Sequence, residues 1–177
     1  MDIEKIENNK QNIETKSTSI EDIVLNVINK FSIDLDTLVK SIDNKIRQNE
    51  LDAFSDEELE AFCLKLSSYM YFAAAGQELI GLRESIAEAL SKEDYNNNYA
   101  KATGTMADKK ATAELNSQDS MLVELIYHRA EKMMESKLVY ATHLLSSIKR
   151  ILNRRIEQMK MNPVRTKYNI TETSVEV

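Results

Sequence analysis

Over most of this chain, apolar residues recur at spacings of three and four, the period of helices rather than of strands. The clearest stretch is residues 55–161. Ser55-Asp56-Glu57-Glu58 has the form of a capping box, with Phe54 and Leu59 placed to close a hydrophobic staple over the first turn. Leu59, Phe62, Leu66, Met70 and Ala73 then follow one face, and no proline intervenes before Lys101. Thr103-Gly104-Thr105 breaks the pattern. Thr105 can cap a second helix with Asp108 in its first turn, and Pro163 sets the end of that helix near Met161. Two helices of roughly 45 to 55 residues, at ~1.5 Å per residue, predict an antiparallel hairpin about 70–80 Å long.

The flanking segments are weaker. Residues 1–18 are polar, with isolated isoleucines at 3, 6 and 13, and read as a disordered tail. Residues 19–54 carry two short amphipathic helices and a linker. Ile23, Val24, Val27, Ile28 and Phe31 mark the first, and Leu35, Leu38, Val39, Ile42 and Ile46 mark the second, after a break at Ser32-Ile33-Asp34. The linker is Asn49-Glu50-Leu51-Asp52-Ala53, and residues 162–177 form a flexible C-terminal tail. Ala73 to Gly76, followed by Gly81, offers small residues where another helix can cross.

Composition narrows the class. Three Gly, one Pro and 6% aromatic residues argue for an all-α chain. The lone Cys63 sits on an apolar helix face and excludes an internal disulfide framework. Met1-Asp2-Ile3-Glu4-Lys5 lacks the basic and apolar regions of a signal peptide. No apolar run approaches the ~20 residues of a membrane span, so no membrane partner is expected. His128 and His143 lack the spacing of a helical metal site. There is no glycine-rich phosphate loop, and a hairpin offers no water-excluding pocket. An enzyme is not expected, and neither is a cofactor.

In the second long helix, Leu138, Leu145, Leu152 and Met159 recur every seven residues, with Ala141 and Ile148 three residues after the first two. This predicts a coiled-coil seam, and Leu138, Leu145, Ile148 and Leu152 are the expected homo-oligomer interface. Upstream, Leu122, Ile126, Ala130 and Met133 keep another phase, which predicts a stutter near residue 134.

Charge adds a second feature. Residues 137–167 hold eight Lys or Arg and a single acid, Glu157, a local net charge of +7 on a chain of net charge −6. Such a patch suits a polyanion; it also suits a solvated helix face or docking onto the chain's own acidic half. The candidate nucleic-acid contacts are Lys149, Arg150, Arg154, Arg155 and Lys160, with Arg155 nearest the seam. Weaker candidates lie at the hairpin tip, where Tyr95 and Tyr99 stand beside Lys101, Lys109 and Lys110 and could stack bases.

The long first helix, the polar tip and the return helix ending in Ser147-Ile148-Lys149-Arg150-Ile151-Leu152-Asn153-Arg154-Arg155-Ile156-Glu157-Gln158-Met159-Lys160 resemble the UvsY family of phage recombination mediators over residues 59–162. The resemblance implies an all-α homo-oligomer without enzymatic activity. It would bind single-stranded DNA and help load a phage recombinase onto strands covered by single-strand-binding protein, in the bacterial host cytoplasm. The family's basic residues in the first long helix have no counterpart here, because residues 82–94 are acidic apart from Arg83 and Lys92. A structural or assembly protein of a phage particle, and a helical adaptor for a partner protein, are the competing expectations.

Overall fold

In a computed structural model, the backbone is described for residues 3–47 and 54–171, and side chains for residues 17–47 and 54–160 together with Gln11, Glu14 and Thr15. The chain is all-α. Helices α1 (Ile3–Arg47), α2 (Asp56–Lys101), α3 (Met106–Asn116) and α4 (Gln118–Thr171) follow in order. The expected hairpin is α2 against α3 and α4, and at ~1.5 Å per residue the 46 residues of α2 extend about 70 Å. The expected linker lies wholly outside the described residues, as does the C-terminal tail from residue 172 onward.

Both predicted N-caps form. The Ser55 hydroxyl accepts the Glu58 N–H at 3.2 Å, and the Glu58 carboxylate accepts the Ser55 N–H at 3.1 Å. Phe54 and Leu59 are both buried beneath that turn. The tip repeats the device: Asp108 Oδ2 accepts the Thr105 N–H at 3.0 Å, and Thr105 Oγ1 accepts the Asp108 N–H at 3.3 Å. Gly104 makes the turn at φ 107°, a conformation that a side chain resists, and a Cβ there would lie 3.0 Å from Asp108 Oδ2.

These bonds make the caps acid-sensitive. The Ser55 N–H and then Lys45 hold the Glu58 carboxyl below its usual 4.5, and the bonds to Thr105 hold Asp108 below its usual 3.8. Both values are depressed on folding, so the stabilisation is complete above the ordinary carboxylate range and is lost as pH falls through the folded values. Thermal melts by circular dichroism are expected to show a smaller drop in Tm between about pH 5 and pH 3 for Glu58→Gln/Asp108→Asn than for the native chain. An unchanged drop would remove the caps as a source of acid sensitivity.

The N-terminal region is one helix, where a tail and two short helices were expected. Ile28, Leu35 and Ile42 are buried at seven-residue intervals, with Phe31, Leu38, Val39 and Ile46 packed beside them. Ser32, read as a break, is fully buried within this face. Its hydroxyl donates to Asp36 Oδ2 at 3.1 Å and accepts from Lys137 Nζ at 3.2 Å, so a polar residue occupies a core position without an unmet hydrogen bond. The expected tail is helical from Ile3. Ile6 and Ile13 continue, at seven-residue steps, the row of Ile20 and Val27, and extending an existing helix is far easier than nucleating one.

α1 lies antiparallel to α2 and parallel to α4, making a three-helix bundle. Lys45 meets Glu58 at one end, Phe31 lies on Gly76 in the middle, and Asp36 pairs with Lys137. Ala73 and Gly76 are therefore the site of a helix crossing, as their size suggested.

The second arm of the hairpin differs from expectation at both ends. Ser117 separates α3 from α4, with φ −103° and ψ 13°. Its hydroxyl donates to the Ala113 carbonyl at 2.5 Å, a local bond that competes with regular helix geometry. Backbone bonds from Ser117 to Ala113 and from Met121 to Ser117 still carry the ladder across this residue. At the other end α4 reaches Thr171, with Pro163 inside it rather than beyond it. Proline removes one N–H and crowds the preceding turn, a penalty of about 3 kcal/mol that does not by itself forbid a helix.

Candidate nucleic-acid interface

The basic stretch belongs to the part of α4 beside the base of the hairpin. Its buried row is Met134, Ala141 and Ile148, preceded at seven-residue steps by half-buried Tyr127 and Ser120 and by buried Ala113. Upstream, Ile126 and Ala130 are buried with Met134 in steps of four, so the core row changes phase near residue 134, and Met134 rather than Met133 enters the core. Leu138, Leu145 and Leu152, expected at an oligomer seam with Ile148, instead line the edge of this row. Ile148 is 4% exposed, and the three leucines are half-buried against the chain's own core.

Arg155 stands seven residues beyond Ile148 and so continues the buried row. Its Nη1 donates to the Phe54 carbonyl at 2.7 Å and to Asp56 Oδ1 at 2.8 Å, tying α4 to the capped start of α2. As a candidate DNA contact it is corrected: its guanidinium closes the base of the bundle. Lys137 is likewise engaged internally with Asp36.

The other four candidates share the outer face. Lys149, Arg150, Arg154 and Lys160 are exposed, and none forms an ion pair among the described residues. At ~100° per residue they span about 140° of the helix surface and ~16 Å of its axis. Glu157 is the acid within that arc. Desolvation pushes the Cys63 thiol up, against the pull of the Lys149 charge.

Antiparallel packing keeps the acidic half of α2 away from these cations. Glu84 meets His128 Nδ1 at 2.7 Å, and Asp94 accepts the Ser120 hydroxyl at 2.8 Å, so this acidic stretch faces the opposite half of α4. The axial gap exceeds about 20 Å, beyond the ~8–10 Å over which exposed charges interact at physiological salt. Within one chain Lys149, Arg150, Arg154 and Lys160 lie away from the acids of residues 78–94, whereas Lys137 and Arg155 of the same basic stretch pair with Asp36 and Asp56.

At the tip, the Tyr95 and Tyr99 rings stack on each other at 6.3 Å and are half-buried, so each already covers a face of the other. Lys110 pairs with Glu114 at 3.8 Å. His143 is exposed on α4. No cluster of His, Cys, Asp or Glu suited to a metal occurs among the described residues, and no helix among them is long and apolar enough to cross a membrane. Comparison with models of known families, with curated proteins and with solved structures found no match.

Proposed function

We propose that this protein is a non-enzymatic single-stranded-DNA-binding mediator of phage recombination, acting on strands covered by single-strand-binding protein to help load a recombinase. The observation that carries the reading is the outer face of α4, where Lys149, Arg150, Arg154 and Lys160 stand exposed and form no ion pair among the described residues, while nearby Arg155 is held by Asp56. Four exposed cations over a short length of helix suit a flexible phosphate backbone, and phosphate contacts carry little base preference. The UvsY-like pattern of the same stretch supports the recombination role and the host cytoplasm as the place of action.

The test is fluorescence anisotropy on a mixed-sequence single strand across a salt series. Arg150→Ala/Arg154→Ala removes two ionic contacts, and the slope of log affinity against log salt is expected to fall by roughly 1.4, at ~0.7 per contact. Arg155→Ala is expected to lower Tm while leaving the slope near the native value. An unchanged slope in the double variant would remove this site. Absence of binding by the native chain at low salt would put the structural or assembly reading first.

A further inference from the structure

Beyond its cations, the outer face of α4 continues towards the tip without an acid from Ile156 back to Ser136. Tyr140 lies in that stretch. It is 52% exposed, and among the described residues neither its ring nor its hydroxyl has a protein partner. Tyr95 and Tyr99, the expected stacking pair, differ because their rings already cover each other.

Helical spacing aligns Tyr140 with the cations. Tyr140, His143, Ser147, Arg150 and Arg154 are all exposed and succeed one another in alternating steps of three and four. Seven residues turn a helix by about 700°, so Tyr140, Ser147 and Arg154 stand nearly in line. His143 and Arg150 form a parallel line beside them. Along the axis, Tyr140 and Arg154 are ~21 Å apart. The surface between them is low. Thr142, Ser146 and Ser147 are short, and their hydroxyls donate to the carbonyls of Leu138, Thr142 and His143 at 2.8, 2.9 and 2.9 Å. A strand lying on that floor has guanidinium groups at one end and an aromatic face at the other. Single strands are held in this manner, by cations on the phosphates and rings under the bases.

We infer that a single strand bound at Lys149, Arg150, Arg154 and Lys160 continues along α4 towards the tip, and that one of its bases stacks on Tyr140. The inference rests on the proposed DNA binding and adds a preference for unpaired strands. Duplex and single strand both offer phosphates, but only an unpaired strand offers a free base face.

The chain has no Trp, so Tyr140→Trp puts a single reporter at the site. Its fluorescence is expected to fall when a mixed-sequence single strand is added, and to stay unchanged with an abasic strand of equal length and charge. By anisotropy, the native chain is expected to bind the base-bearing strand ~5- to 150-fold more tightly than the abasic one, the range for one stacked base. Tyr140→Ala is expected to lose that preference and Tyr140→Phe to keep it. The salt slope of Tyr140→Ala is expected to match the native value, because no ionic contact is removed. Equal binding of both strands by the native chain, with its salt slope intact, would overturn the stacking and leave the basic face standing. A preference that survives Tyr140→Ala, or a tryptophan at 140 that DNA does not quench, would overturn it too. Absence of any binding by the native chain would remove both readings.

Discussion

Gly76→Ala is expected to destabilise the protein by about 1–3 kcal/mol, the range for forcing extra volume into a packed interior. Helix propensity alone points the other way, since alanine favours a helix over glycine by about 1 kcal/mol. The geometry decides the sign. A Cβ on Gly76 would lie 2.4 Å from both Cβ and Cγ of Phe31, and a rotamer change cannot move that Cβ away from the α1 backbone. Either α1 withdraws along its length or α2 bends. Gly81→Ala is the control, because a Cβ there would meet only Glu131 Oε1, at 3.8 Å. It is expected to stabilise by roughly 0.5–1 kcal/mol. Urea denaturation of both variants, and of Phe31→Ala/Gly76→Ala, measures this directly: the double variant is expected to lose less than the two single changes predict together. A stabilising Gly76→Ala would contradict the close approach of α1 and α2.

Lys137→Met is expected to lower stability by about 1–3 kcal/mol. The ammonium lies against the Asp36 carboxylate and the buried Ser32 hydroxyl, and the charged side chains are 24% and 27% exposed. Removing one member of a fully buried pair costs about 3–5 kcal/mol, and partial access to water reduces that figure. Asp36 would keep its bond from Ser32 but lose its counter-charge, on the surface where α1 meets α4. Changing both partners, in Asp36→Leu/Lys137→Met, removes both charges together and is expected to recover much of the loss. A double-mutant cycle by chemical denaturation gives the coupling. A Lys137→Met chain within about 0.5 kcal/mol of the native one, the ordinary scatter of surface changes, would mean that Asp36 and Lys137 do not anchor α1.

Local chemistry was legible in the residues themselves. Ser55 with Glu58, Thr105 with Asp108, and Gly104 between the arms form caps and a turn from neighbours a few positions apart, so their meaning does not depend on the rest of the molecule. The all-α class and the pairing of the two long arms follow equally from periodicity and from a short tip. Pro163 shows the limit of such signals: it marks a costly position, and α4 includes it.

Only the tertiary structure decided which apolar row faces which neighbour. α2 carries exposed Phe72, Leu79 and Ile86 beside buried Ala73, Ile80 and Ala87, and α4 carries Leu138, Leu145 and Leu152 beside Met134, Ala141 and Ile148. Periodicity states that such rows exist; it does not say whether the covering surface comes from the same chain. α1 settles that by docking along both arms through contacts far apart in sequence, Phe31 on Gly76 and Asp36 on Lys137. In the folded chain Ile148 is buried, and Leu138, Leu145 and Leu152 are half-buried against the chain's own core. The docking of α1 turns Ser32 from an apparent break into a satisfied core residue and leaves the outer row of α2 in water. Arg155 follows the same rule: its charge suggested a phosphate, but its place in the buried row brings it to Asp56, because a guanidinium at the edge of a core is stabilised only where a carboxylate meets it.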